Sequence, residues 1–163
     1  MELQHTDLIE QKLNEVRCLL IPVQKNTLLL PNVSVAEVVP YGELIPQANA
    51  KKWHLGVLKW RQTSVPVISY ERMNTEEEAI RYNRFSRLAV INSIMEHSKV
   101  PFWAMPIHGL PKLATLSESA IQETVGKIGF VDRMAVTAKG EPCIIPDLEM
   151  IEGQIQKELT AEG

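Results

Sequence analysis

The chain has 163 residues, of which 45% are hydrophobic and 23% charged, with a formal net charge of −3. That length and balance suit one globular domain with a core of its own, and they exclude a disordered chain. The slight acidity supplies no field for drawing in nucleic acid or an anionic bilayer.

The first residues, Met1 to Asp7, lack a basic segment followed by an apolar run, and no window approaches a membrane-spanning length. The expectation is a cytoplasmic protein without a leader. Asp7 with Glu10 forms a capping box for a short helix carrying Leu8, Ile9, Leu13 and Val16 near one face. From Val16 the pattern changes. Val16–Val23 and Thr27–Leu30 read as two strands around the polar turn Gln24-Lys25-Asn26, and Val33, Val35, Val38 and Val39 form the next strand, ending at Pro40. Glu37 falls inside that apolar stretch, so it must face water at an edge or have a partner.

Residues 42–55 read as a loop. A hairpin follows: Val57, Leu58 and Trp60 precede a break at Arg61-Gln62-Thr63, and Val65, Val67 and Ile68 come after it. Pro66 cannot donate to a ladder and predicts an edge or a bulge. Thr75 and Glu76-Glu77-Glu78 predict a helix over about 76–84, the carboxylates lying where the helix dipole favours them. Ser86–Ile94 and Val100–Ile107 read as strands, the second irregular or at an edge because of Pro101 and Pro106. Phe102-Trp103-Ala104-Met105 has no alternation, which predicts burial on both faces. Leu110–Leu116, Phe130–Thr137 and Pro142–Ile145 complete the strands, the last two joined by a turn at Ala138–Glu141. Asp147 caps a final helix with Leu148, Ile151, Ile155 and Leu159 at helical spacing. Short strands with turn signals every eight to twelve residues predict an all-β small-barrel protein with a few short helices. Its halves fall at 16–72 and 86–146, with a connecting helix at 73–85 and a terminal helix at 147–160.

The residues give little basis for catalysis. His5, His54, His97 and His108 show no metal-ligand spacing, and Cys18 and Cys143 are too few and too distant for a zinc site or a disulfide framework. No cofactor or metal is expected. A β-barrel enzyme using Cys143 with His108 is one alternative, though both residues read as structural or turn-located. A small-barrel nucleic-acid binder is another, on the strength of Lys51, Lys52, Trp53, Lys59, Trp60 and Arg61. Trp60, beside a turn arginine, is expected to be partly exposed, and tryptophan and arginine are the residue types that anchor interfaces.

The stretch Gly56, Val57, Arg61, Val65, Pro66, Val67 and Ile68 resembles the signature of CheW-like domains, the adaptor modules of bacterial chemosensory systems. Val35-Ala36-Glu37-Val38 is similar to the family's Val-x-Glu-Val/Ile segment and Cys18–Val23 to its first strand. Gly140–Leu148 is similar to its closing strand and Asp-Leu helix start. The resemblance spans about residues 16–152. It departs from the family at Gln62, where glycine is usual and a turn needing positive φ is less comfortable. It departs again at Ser69-Tyr70, where Asp-Leu is usual, and at Phe102–Pro106, which lacks the usual aspartate. The resemblance implies two five-stranded SH3-like barrels sharing a core. It also implies a non-enzymatic adaptor coupling the cytoplasmic tip of a methyl-accepting chemoreceptor to the regulatory domain of a CheA-like sensor histidine kinase. By matching positions it assigns partner binding to Val35, Glu37, Gly56 and Arg61, with Trp60 beside them. The departures resemble those of a specialised member, the ChpC-like accessory adaptor of type IV pilus (twitching motility) signalling.

Overall fold

The computed structural model describes residues 15–75, 81–83, 85–96 and 98–161. The helix expected from Asp7 and most of the helix expected over 76–84 therefore lie outside the described residues, and 81–83 are not helical. Strands β1 (Glu15–Pro22) and β2 (Thr27–Pro31) pair antiparallel, and a turn in which Val23 N–H donates to Asn26 O joins them. A short 3-10 turn at Asn32–Ser34 leads into β3 (Val35–Pro40). The central hairpin is β4 (His54–Trp60) and β5 (Thr63–Ile68). Its two turn residues, Arg61 and Gln62, have φ of 46° and 63°. Positive φ at both positions is the turn whose twist matches its flanking strands.

Helix α1 (Tyr70–Asn74) is not anticipated by the sequence reading. Ser69 caps it, its Oγ accepting from Arg72 N–H at 3.1 Å. A short side-chain acceptor is what an N-cap requires, and serine supplies one. There follow β6 (Arg87–Asn92), β7 (Phe102–Ile107), β8 (Lys112–Ser117), a 3-10 turn at Glu118–Ala120, and β9 (Ile121–Glu123). The chain ends with β10 (Asp132–Ala138), β11 (Glu141–Pro146) and α2 (Leu148–Ala161). As expected, the fold is mainly β, two small SH3-like barrels and a terminal helix.

The strands are shared out differently from the sequence halves. Strands β1 and β2 join β8–β11 in a six-stranded sheet ordered β8-β1-β2-β11-β10-β9, while β3–β7 form a five-stranded sheet ordered β3-β6-β7-β5-β4. A lone two-stranded hairpin is marginal in water. The first hairpin gains its neighbours from the far end of the chain, β8 along β1 and β11 along β2. The division expected at 16–72 and 86–146 therefore does not follow the sheets.

Each barrel has its own interior, and a third apolar cluster lies between them. Leu58, Trp60, Val65, Val67, Leu88, Val90 and Ala104 fill the five-stranded barrel. Cys18, Leu29, Leu116, Val136, Ala138 and Cys143 fill the six-stranded one. The shared cluster takes Ile21, Leu28 and Leu30 from one sheet, Ala89, Ile91, Trp103 and Met105 from the other, Tyr70 and Met73 from α1, and Ile151 and Ile155 from α2. Strand β7 thus sends Trp103 and Met105 to the shared core and Phe102 and Ala104 to the barrel interior, which accounts for its lack of alternation.

Pro66 and Pro106 do not mark edges, since β5 and β7 are interior strands of their sheet. Val57, which faces Pro66, turns its backbone N–H and C=O toward Ile45, away from β5. The missing donor of Pro66 therefore interrupts no bond to β4. It falls on the side of β7, where the parallel register is confined to Val67–Ala104.

Helix α2 is capped by Asp147, whose Oδ1 accepts from Met150 N–H at 3.0 Å. Its inner face also carries Glu152, only 3% exposed, whose carboxylate accepts from Ile94 N–H, Met95 N–H and Trp103 Nε1–H at 2.8, 3.2 and 3.0 Å. A Cβ added to Gly153, in the middle of this helix, would meet nothing within 4 Å. Glycine inside a helix costs about 0.5–1 kcal/mol relative to alanine. Gly153→Ala is expected to raise the thermal midpoint by about 1–4 °C, measured by circular dichroism.

Candidate functional site

Strands β3 and β4 are the two outer strands of the five-stranded sheet. The curl of the sheet brings them together at the β4–β5 turn. Trp60 Nε1–H donates to Glu37 Oε2 at 2.6 Å, and Arg61 Nη2 lies 3.4 Å from the same oxygen. The Arg61 guanidinium carbon sits 4.6 Å from the Trp60 ring centroid. Carboxylate, indole and guanidinium thus form one cluster, in which each member holds the next by charge or by π attraction.

Exposure divides the roles. Trp60 is 8% exposed, against the expected partial exposure, because its side chain enters the barrel interior and meets Phe102 edge-on at 4.9 Å. The Arg61 side chain is 67% exposed and that of Glu37 40%. Trp60 is therefore the buried post, and Arg61 and Glu37 are the groups presented outward. An ion pair this exposed is worth about 0–1 kcal/mol, so it orients the guanidinium more than it stabilises the fold.

Val35 lies on the same strand as Glu37, half-buried against the shared core and facing Ile91, with an irregularity in register between the two. Gly56 is not part of the cluster. It lies four residues from Trp60 on β4, about 13 Å at 3.3 Å per residue. Its φ is 141°, and a Cβ there would come within 2.9 Å of Ile45 O and 3.0 Å of Leu44 Cβ. The close backbone approach expected at this glycine is made by the chain's own Leu44–Ile45 segment, which bridges to Val57.

The sequence profile of the CheW-like domain family matches residues 17–155. The chain belongs to the CheW-like domain family. Among solved structures it is similar to the scaffolding protein TtCheW from Thermoanaerobacter tengcongensis, with a TM-score of 0.67 at 14% identity, covering 82% of this chain and 84% of that one. That likeness is one of fold. A comparison with curated proteins gives no match.

Two features of this CheW-like chain escape a reading of the sequence. Glu71, 8% exposed, accepts from Tyr82 Oη–H at 2.6 Å and Gln24 N–H at 3.2 Å, with His108 Nδ1 at 4.0 Å. Tyr82 also shares a hydrogen bond with Ser69 Oγ. In the second, Tyr70 Oη–H and Asn74 Nδ2–H both donate to Asp132, whose other oxygen accepts from Gly129 N–H. These networks tie α1 to the segment before β6 and to β10. Their only sequence signal is the polar content of Ser69–Asn74.

Both cysteines are buried and their thiols are held protonated. Cys143 is 3% exposed in a barrel interior, and burial, together with Glu141, pushes its thiol up. Cys18 is likewise raised by burial. His108 serves the Glu71 network. Among the described residues no group of three or more His, Cys, Asp or Glu is placed to hold a metal, and no helix is long and apolar enough to cross a membrane.

Because Trp60 is buried, truncating Glu37 leaves an indole N–H without its acceptor. Glu37→Ala is expected to cost about 1–3 kcal/mol in chemical unfolding, whereas Arg61→Ala costs under about 1 kcal/mol. Both Tyr70 and Tyr82 are raised well above the usual tyrosine value, first by burial and then by Asp132 and Glu71 respectively. A folded-state pKa above the unfolded value near 10 favours the protonated phenol. Their contribution is then complete below about pH 10 and is lost as pH rises beyond it. Thermal midpoints are expected to fall steeply above about pH 10, and less steeply in Tyr82→Phe.

Proposed function

We propose that the chain is a chemotaxis-type adaptor, non-enzymatic and cytoplasmic, which couples a chemoreceptor to a CheA-like sensor histidine kinase. The observation that carries this reading is the Arg61 guanidinium, held out in solvent by Glu37 and the buried Trp60. A planar fork fixed before contact loses little entropy on meeting a carboxylate of a partner. Val35, two residues before Glu37 on β3, contributes apolar surface. Gly56 shapes the loop behind β4 instead of touching the partner. Family membership supports the adaptor class, and the departures at Gln62, Ser69 and Phe102–Pro106 favour a specialised pathway, a ChpC-like accessory role in type IV pilus (twitching motility) signalling.

The test uses purified full-length chain with the kinase regulatory domain and a chemoreceptor cytoplasmic fragment from the source bacterium. Wild type is expected to bind at least one of them. Arg61→Glu is expected to weaken that binding about tenfold or more, the equivalent of about 1.4 kcal/mol, with the thermal midpoint nearly unchanged. Glu37→Gln, which keeps an acceptor for Trp60, is expected to fall between the two. No binding by folded wild type, or equal binding by all three, would remove the adaptor reading or its surface respectively.

A further inference from the structure

The basic and aromatic residues that suggest a nucleic-acid reading fall in two separate places. Lys59, Trp60 and Arg61 belong to the hairpin tip. Lys51, Lys52 and Trp53 precede the other end of β4, about 20 Å away at 3.3 Å per residue. They do not make the continuous basic groove that a single strand requires. Lys51 and Trp53 instead line a cleft of about 750 Å³ between the loop before β4 and helix α2, together with Gln47, Asn49, Gln154 and Lys157. That volume falls within the about 300–1,000 Å³ of small-molecule sites.

The wall of the cleft is built on a buried pair. His54 Nδ1 lies 2.9 Å from Glu158 Oε2, their side chains 4% and 7% exposed, and Glu158 Oε1 accepts from Lys51 N–H at 2.9 Å. Both oxygens of the one acidic residue lining the cleft are thus engaged with the loop. Trp53 is fixed as well: its carbonyl accepts from Ser69 N–H at 2.7 Å, and its ring stacks on His54 with centroids 6.0 Å apart. The side chains of Lys51 and Lys157 belong to exposed residues and enter no ion pair among the described residues. What the cleft offers is an ordered aromatic wall, two ammonium groups in no ion pair among the described residues, the lining carboxylate of Glu158 being held by His54 and the Lys51 amide, and the amides of Gln47, Asn49 and Gln154.

We propose that this cleft binds a small planar organic anion, its ring against Trp53 and its charge met by Lys51 and Lys157. Ammonium groups act as point charges without the geometric demand of a guanidinium fork, so sulfonate, phosphate and carboxylate all satisfy them. This inference is independent of the adaptor reading, since it uses none of the residues at the hairpin tip.

The probe is anilinonaphthalene sulfonate, titrated into the full-length protein with its fluorescence followed, beside the neutral anilinonaphthalene that lacks the sulfonate. Saturable one-to-one binding of the anion is expected, at least tenfold tighter than that of the neutral compound. The double variant Lys51→Glu/Lys157→Glu is expected to weaken it at least tenfold, and Lys139→Glu, on the turn between β10 and β11, to leave it unchanged. Thermal unfolding confirms that each variant is folded. Failure of folded wild type to bind, equal binding of the neutral compound, or unchanged affinity in the double variant would each overturn the proposal.

Discussion

The apolar cluster between the two sheets is the constraint on which the rest of the molecule depends. It draws on both barrels and both helices. Each large side chain fully buried in it contributes about 1.5–3 kcal/mol relative to exposure. The middles of strands β2, β6 and β7 therefore present no polar face: one face fills a barrel, the other fills the space between barrels, and polar residues such as Thr27, Arg87 and Asn92 are confined to the strand ends. With side-chain packing deciding every position, no register is left to choose in these strands. The β4–β5 hairpin, one layer out, inherits that rigidity, which lets a turn with two non-glycine residues at positive φ hold its shape.

The candidate site depends on this rigidity through Trp60. An arginine on a loop is ordinarily a mobile charge, but Arg61 is propped from below by an indole that cannot move without opening the barrel, and from the side by a carboxylate on the opposite edge of the sheet. Glu37 sits in an apolar run because one of its oxygens has a buried donor to serve. The cleft beside α2 follows the same principle with other groups: a buried histidine and glutamate fix the loop, and the lysines are what remains outside.

Local chemistry in the sequence was a good guide wherever a single element decided the outcome. The hairpin at Arg61-Gln62, the cap at Asp147 and the two-sided burial of Phe102–Met105 all follow from patterns a few residues long. Glu37 could be identified as needing a partner or an edge, and it has both. What the sequence could not give was which strands lie side by side. Pro66 and Pro106 suggest edges only if each strand is judged alone, and their tolerance depends on the orientation of Val57 and the short contact between β5 and β7. A turn arginine as neighbour predicts exposure for Trp60, although alternation along β4 points it inward. The cleft is invisible in sequence because Lys51 and Lys157 lie far apart in the chain and meet only in the fold, and α1 is hidden because five residues carry too little periodicity to register.

The distribution of strands also bears on how the chain assembles during synthesis. The five-stranded barrel is contiguous, from Val35 to Ile107, whereas the six-stranded one is interrupted by it, its first two strands waiting for four that emerge after it. A nascent chain can complete the inner barrel while β1 and β2 still have both outer edges open. Closure then requires contacts between segments far apart in sequence, the kind of long-range pairing that makes β proteins slow to fold and vulnerable to edge-to-edge association. The arrangement makes the later segment, β8 through α2, the one that locks β1 and β2 in place.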